Sequence, residues 1–225
     1  MNILIEYNGV IPALKYGGTE RAIWYLGKEL TKMGHHVTYL VNKGSSCDFA
    51  PIIFYDKEKP LQEQVPPSTD IIHFLSKNAE PIDKPYIVTI QGNVNDQRDF
   101  DRNTVFVSRD HAARFGSDSF VYNGMDWDDY GKPDLSNKRT YFHFLGDAAW
   151  RLKNVKGAID IITATKKERL KVLGGTRLNL NMGFRFTISP RVKFYGMVGG
   201  EEKNRLLQGS KGLIFTVKWS EPFGI

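Results

Sequence analysis

Apolar residues recur along the chain in two rhythms that alternate. NILIEY (residues 2–7) is a short apolar run rich in β-formers, and the loop NGVIPALKYGG follows it. From Thr19 the spacing becomes helical, with Ala22, Ile23, Leu26, Leu30 and Met33 on one stripe. Thr19 stands where an N-cap is expected and Gly34 where the helix should stop, and HVTYLV (36–41) reads as the next buried strand. A β-loop-α-β unit of this kind begins a parallel sheet. Further strands are expected at DIIHFL (70–75), YIVTIQ (86–91), TVFVS (104–108) and FVYNGM (120–125), with a short helix opening at Ser108.

Residues 126–138 are polar, carry Gly and Pro, and read as a linker. Beyond them the rhythm restarts. Strands are expected at YFHFLG (141–146), RLKVLGG (169–175), VKFYG (192–196) and GLIFTV (212–217), and helices over 154–165 and EEKNRLLQGS (201–210). The fold class is α/β: a Rossmann-like domain over residues 1–130, then a second Rossmann-like domain over 138–225 that stops short of completion.

Composition adds little until charge is divided along the chain. Hydrophobic residues make up 41% and charged residues 25%, ordinary for a soluble globular protein. No apolar run approaches the ~18 residues of a membrane span and the N-terminus is too polar for a signal peptide, so the expected compartment is the cytoplasm. Cys47 is the sole cysteine, which excludes an intrachain disulfide. Residues 1–137 carry 14 Lys/Arg against 19 Asp/Glu, whereas residues 138–225 carry 17 against 6, a net of +11. Such a split points to an anionic partner for the second half, whether nucleic acid, a membrane surface or a phosphorylated small molecule; the alternative is a solvated basic face.

Three segments have the residue types for binding chemistry. In KYGGTER (15–21), Gly17 and Gly18 precede a helix start, which suits a phosphate or a polar sugar and equally suits an unliganded βα turn. In GDAAWRLKNVKG (146–157), Arg151, Lys153 and Lys156 crowd a strand end, where α/β proteins bind ligands. Asp126 and Asp128 have the spacing of a metal-binding carboxylate pair, but they open the linker rather than end a buried strand. Dinucleotide and P-loop fingerprints are absent, as are a nucleophile elbow and a recognised nucleic-acid motif.

Taken in order, these pieces resemble the family 4 glycosyltransferases of GT-B architecture. GGTERAIWYLGKELTKMGHHVTYL resembles that family's first βαβ unit. DIIHFL, KPYIVTIQGN, VFVSRDHAARF and VYNGMD resemble its next strand segments, FLGDAAWRLKNVKGAIDII its donor-phosphate loop, and VKFYGMVGGEEKNRLLQGSKGLIFTVKWSEPFGI the run into its E-x₇-E motif. The resemblance implies a retaining transfer from a nucleotide-sugar donor to a glycan or lipid-linked acceptor, with no bound metal and no nucleic acid. Arg151 and Lys156 would grip the donor diphosphate beside Gly146, although the usual Gly-Arg adjacency is broken and Lys153 is an alternative to Lys156. Glu221 matches the first Glu of the motif, with Phe223 and Gly224 lining the sugar pocket; the second Glu would fall past Ile225, so the chain reads as C-terminally truncated. Where many relatives have His-x-His and His-Gly, this chain has His73-Phe-Leu75 and Gln91-Gly92, which leaves His73, Gln91 and Asn123 as substrate contacts together with Gly17, Gly18 and Thr19. The incomplete second domain implies pairing with another copy, and the basic half peripheral contact with an anionic inner-membrane face. A non-catalytic glycan-, membrane- or partner-binding relative is the alternative reading.

Overall fold

The computed structural model describes residues 1–15, 17–76, 81–94 and 100–224; Tyr16 of KYGGTER and Ile225 of WSEPFGI lie outside them. Two compact units emerge, one of Met1–Ala13, Gly17–Met125 and Glu221–Ile225, the other of Leu14–Tyr16 and Asp126–Ser220.

In the first unit, β1 (Asn2–Tyr7), β2 (His36–Val41), β3 (Ile52–Phe54), β4 (Ile71–Phe74), β5 (Tyr86–Ile90) and β6 (Thr104–Phe106) form one parallel sheet. Its order is β3-β2-β1-β4-β5-β6. The two-residue period of a strand sorts the side chains between faces. Leu4, Leu40, Ile72, Phe74, Val88, Ile90 and Phe106 pack with Leu61 of α2 (Leu61–Gln64) and Ala112 of α3 (Arg109–Arg114). Ile3, Ile5, Val37, Tyr39 and Val41 take the other face, against Ile23 of α1 (Gly18–Lys32). Helix and strand approach closely at Gly27, where the buried Tyr39 hydroxyl occupies the space a Cβ would need and donates to the Ile23 carbonyl at 3.2 Å.

In the second unit, β7 (Tyr141–Leu145), β8 (Leu170–Leu173), β11 (Val192–Phe194) and β12 (Ser210–Leu213) form a parallel sheet of order β11-β8-β7-β12. Between β8 and β11 a small antiparallel hairpin, β9 (Leu178–Asn179) and β10 (Arg185–Phe186), leaves the sheet. Phe144, Leu170, Val172 and Val192 pack against Val155, Ala158 and Ile162 of α4 (Val155–Ala164), and Leu173 against Leu206 of α5 (Gly200–Gln208). Both sheets run third-second-first-fourth in chain order and reverse between their first and fourth strands. In open α/β sheets that reversal opens a crevice at the carboxyl ends of the strands.

The structure corrects several expectations. Thr19 lies inside α1; the cap is Gly17, whose φ of 148° and ψ of 97° only glycine adopts readily. FVYNGM is not a strand, because pairing with β6 stops at the Phe106–Phe120 bridge and the next residues, Val121 and Tyr122, are exposed. The last strand begins at Ser210 rather than Gly212 and ends at Leu213, since the Ser210 hydroxyl bonds His143 Nδ1 at 2.7 Å and anchors the strand start. Residues beyond Leu213 leave the ladder, and Thr216 bonds Asn154 instead. Among elements not anticipated are β3, α2 and the β9–β10 hairpin.

Candidate functional site

In the second unit the site is built on the loop that leaves β7. Gly146, at φ 144°, donates its N–H to the Leu173 carbonyl at 3.2 Å. Its own carbonyl lies so close to Gly174 that a Cβ there would collide with it. A 3-10 turn, Arg151–Lys153, follows, and then Asn154 in the left-handed region at φ 55°. Asn154 caps α4 by accepting from the Gly157 N–H at 3.2 Å. Its Nδ2 donates to the Thr216 carbonyl and the Thr216 hydroxyl donates to the Asn154 carbonyl, each at 2.8 Å. These bonds stitch the loop after β7 to the segment after β12, across the sheet's reversal point.

Arg151 and Lys156 line one cavity of about 700 Å³ between α4 and the β9–β10 hairpin. Arg185 and Lys218 join them, with Asp160 as the single acidic residue among the described lining. Arg151 Nε donates to the Met182 carbonyl at 2.8 Å, and Lys156 Nζ pairs with Asp160 at 2.6 Å in solvent. Arg185 bonds the Thr176 carbonyl through one terminal nitrogen, and burial, opposed by Asp147, holds its pKa below the usual value. Lys153 stands apart from this cavity: its ammonium lies 5.4 Å from the ring centre of Trp150 and 5.2 Å from that of Trp219, with its stem beside Gly146. Of the expected cations, the structure therefore brings Arg151 and Lys156 together and gives Lys153 a separate aromatic bracket.

In the first unit, His73, Gln91 and Asn123 line a cavity of about 550 Å³ on the α1 side of the sheet. His73 Nε2 and Thr89 Oγ1 are 2.7 Å apart, and burial pulls the imidazole pKa down to about 4, so the ring is neutral at pH 7. Gln91 Nε2 donates to Asn123 Oδ1 at 3.2 Å, and Asn123 Nδ2 donates back to Gln91 Oε1 at 2.8 Å. Gly17, Gly18 and Thr19 lie outside that cavity's lining. A Cβ on Gly17 would meet Glu20 Oε2 at 2.5 Å, and Glu20 also accepts from the Tyr7 hydroxyl at 2.7 Å. A carboxylate already occupies the positive end of α1, which disfavours a phosphate there and leaves neutral sugar hydroxyls as the better ligand.

The Glu221–Ile225 segment groups with the first unit. The Pro222 carbonyl accepts from the Ser108 hydroxyl at 2.5 Å, and that hydroxyl also caps α3 by accepting from the His111 N–H. Phe223 tilts against Tyr122 at 5.8 Å, Gly224 takes φ 86°, and Glu221 is half-buried beside it. Asp126 uses its carboxylate to cap a short turn through the Asp128 N–H, and the described residues contain no group of three potential metal ligands. Sequence reasoning missed Trp150, Trp219, Asn154 and Arg185. An Asn directly before a helical stripe was a readable signal for Asn154; the bracketing tryptophans are 69 residues apart and left none.

No protein-family model matches the chain and no curated protein matches it. Solved structures do. AviGT4, described as a glycosyltransferase involved in avilamycin A biosynthesis, is 17% identical, with 99% of this chain and 73% of that chain covered at a TM-score of 0.66. Anabaena Alr3699/HepE, solved in complex with UDP-glucose, is 15% identical, with 100% and 76% covered at a TM-score of 0.67. The chain has the α/β GT-B fold of these proteins.

Proposed function

We propose that the chain is a retaining glycosyltransferase that moves a sugar from a nucleotide-sugar to a glycan or lipid-linked acceptor without a metal. The observation that carries this reading is the placement of Arg151 and Lys156 in one cavity, on the loop that follows the first strand of the second sheet. Cations there would stabilise the negative charge that develops on the departing diphosphate. Lys153, held over two indoles, adds positive charge on the same loop. The likeness to a protein solved with UDP-glucose supports a nucleotide-sugar as donor. Glu221, with the Phe223-Gly224 backbone, would hold the donor sugar, and His73, Gln91 and Asn123 would contact substrate from the first unit. The neutral His73 is a poor proton acceptor at pH 7, so the leaving phosphate would take the acceptor's proton. The net charge of +11 over residues 138–225 is the side suited to peripheral contact with an anionic membrane.

Calorimetric titration with UDP-, GDP- and ADP-sugars tests the proposal, followed by an assay for nucleotide release with candidate acceptors. Micromolar to millimolar binding of one nucleotide class is expected. Binding of none, with no nucleotide released, would remove the transferase reading.

A further inference from the structure

Residues 178–188, LNLNMGFRFTI, alternate apolar and polar side chains through the β9–β10 hairpin, but the alternation faces the reverse of the usual way. Leu178, Leu180, Met182, Phe184, Phe186 and Ile188 are all exposed, with Ile188 81%, Phe184 75% and Leu180 71% accessible. Of the intervening polar residues, Asn181 is exposed, while Asn179 and Arg185 are half-buried and bond backbone carbonyls. Asn179 donates to the Asn181 and Gly183 carbonyls at 2.5 and 2.9 Å, Arg185 bonds the Thr176 carbonyl, and Thr187 is buried. The normal arrangement for a hairpin on a folded unit is apolar in and polar out. A contiguous exposed apolar surface of this kind is a docking surface.

The charge around the hairpin identifies what docks. The cavity that Phe184, Phe186 and Ile188 border carries Arg151, Lys156, Arg185 and Lys218 against Asp160 among the described lining residues. Arg177, at the hairpin's start, and Arg191, just past its end, spend their guanidinium groups on backbone carbonyls and hold the element to the unit. Exposed apolar side chains bordering a cationic cavity match a bilayer that offers acyl chains beneath anionic headgroups. We infer that the β9–β10 hairpin is a membrane-insertion element, seating Phe184, Phe186 and Ile188 in the interface of an anionic bilayer. The inference rests on the reading of peripheral membrane contact and assigns that contact to one element. Insertion also bears on the donor loop, because the hairpin tip holds Arg151 through the Met182 carbonyl.

The test is flotation of the full chain with vesicles, without nucleotide-sugar, so that it reads nothing of transfer. Vesicles of phosphatidylcholine alone are compared with vesicles containing ~30% phosphatidylglycerol, at low and high salt. Expected is at least about tenfold stronger partitioning to the anionic vesicles, weakened by salt, and a loss of about tenfold or more in the Phe184→Ser/Phe186→Ser/Ile188→Ser variant. A separate Phe184→Trp variant is expected to shift the emission of its added indole to the blue on these vesicles and to be quenched by brominated lipid. If wild type and the triple variant partition equally, and the indole of Phe184→Trp is not quenched, the hairpin assignment is overturned while membrane contact stands. If wild type does not bind vesicles, both fall. Concentration-dependent dimerisation that the triple variant abolishes, with no vesicle binding, would assign the surface to a second copy and overturn the inference.

Discussion

The side-chain amides of Gln91 and Asn123 exchange two hydrogen bonds, at 3.2 and 2.8 Å, although 32 residues separate them. Gln91 comes from the end of β5 and Asn123 from the segment after the Phe106–Phe120 bridge, so the pair fixes where that segment crosses the cavity wall beside His73. Two neutral hydrogen bonds in a half-buried setting contribute about 1 kcal/mol net, and leaving one amide unpaired costs about as much again. Gln91→Leu and Asn123→Leu should each destabilise by about 1–2 kcal/mol. The double variant should cost less than the sum of the two, a coupling of about 1 kcal/mol in urea unfolding. Strict additivity would mean that the pair contributes nothing in solution.

Arg151 and Lys156 are expected to act on ligand affinity and scarcely on stability. Lys156 is exposed and its ion pair with Asp160 is solvated, so little folding energy rides on it. Each Ala substitution should weaken nucleotide-sugar binding by about tenfold, consistent with charge-assisted contacts to phosphate. Asp160→Asn releases Lys156 from its competitor and should tighten binding by about two- to threefold at low salt. Calorimetry with UDP-glucose at two ionic strengths reads all three. Unchanged affinity in Arg151→Ala and Lys156→Ala would exclude this cavity as the donor site.

Much of this architecture was legible because buried parallel strands write themselves as continuous apolar runs. NILIEY and HVTYLV appear where expected, residue for residue. Strand ends were harder to read. FVYNGM has a strand's composition, yet one bridge is all the sheet edge offers it, and Asn123 finds its partner in a side chain. The strand expected at Gly212 starts two residues earlier because of a single serine–histidine bond, a long-range contact invisible to local pattern. Arg151, Lys153 and Lys156 were nameable as cations crowding a strand end, but the hairpin that completes the cavity of Arg151 and Lys156 was not. Its 178–188 alternation was visible; only the structure reveals that the apolar side chains are exposed and that Phe184, Phe186 and Ile188 border the cavity.

Three buried histidines, His73, His111 and His143, make folding pH-dependent with one sign, burial holding each imidazole below its ordinary pKa. Burial pulls His73 to about 4, and burial first, then Arg114, pulls His111 to the same value. His111 is fully buried among Phe106 and Phe115, and neither ring nitrogen makes a well-formed hydrogen bond; the Gly92 backbone and Asp110 only partly offset the shift. All three rings are favoured neutral in the folded state, so the unfolded chain binds more protons below its ordinary pKa of about 6.5. The stability is fully present above that value and is lost as pH falls toward 4, by about 2 kcal/mol at pH 5 for each of His73 and His111. Urea unfolding at pH 7.5 and 5.0 should reveal the loss. His111→Phe, which keeps an aromatic ring in the cluster, should remove the His111 share of it, about 2 kcal/mol at pH 5, and be more stabilising at the lower pH. An unchanged pH slope in that variant would show that His111 titrates normally.

Gly174 offers the sharpest test of how the loop after β7 is held. It stands at the end of β8 with φ 143°, and a Cβ there would strike the Gly146 carbonyl, backbone against backbone. No side chain can rotate away to relieve that collision, and Gly146 is itself tied to Leu173 by its N–H. Gly174→Ala therefore combines an unfavourable φ with a steric clash and should cost about 3 kcal/mol or more. Any folded fraction must shift the Gly146–Asp147 segment, which leads into the loop carrying Arg151. Gly116→Ala is the control: it also has positive φ, at 69°, but open space around its Cβ, and should cost only about 1 kcal/mol. Thermal melts and nucleotide-sugar titrations of both variants decide the matter. Equal losses of stability would mean that the close approach of Gly174 to Gly146 is relaxed in solution. A large loss confined to Gly174→Ala, with weakened ligand binding in what remains folded, ties the two glycines to the geometry of the cation site.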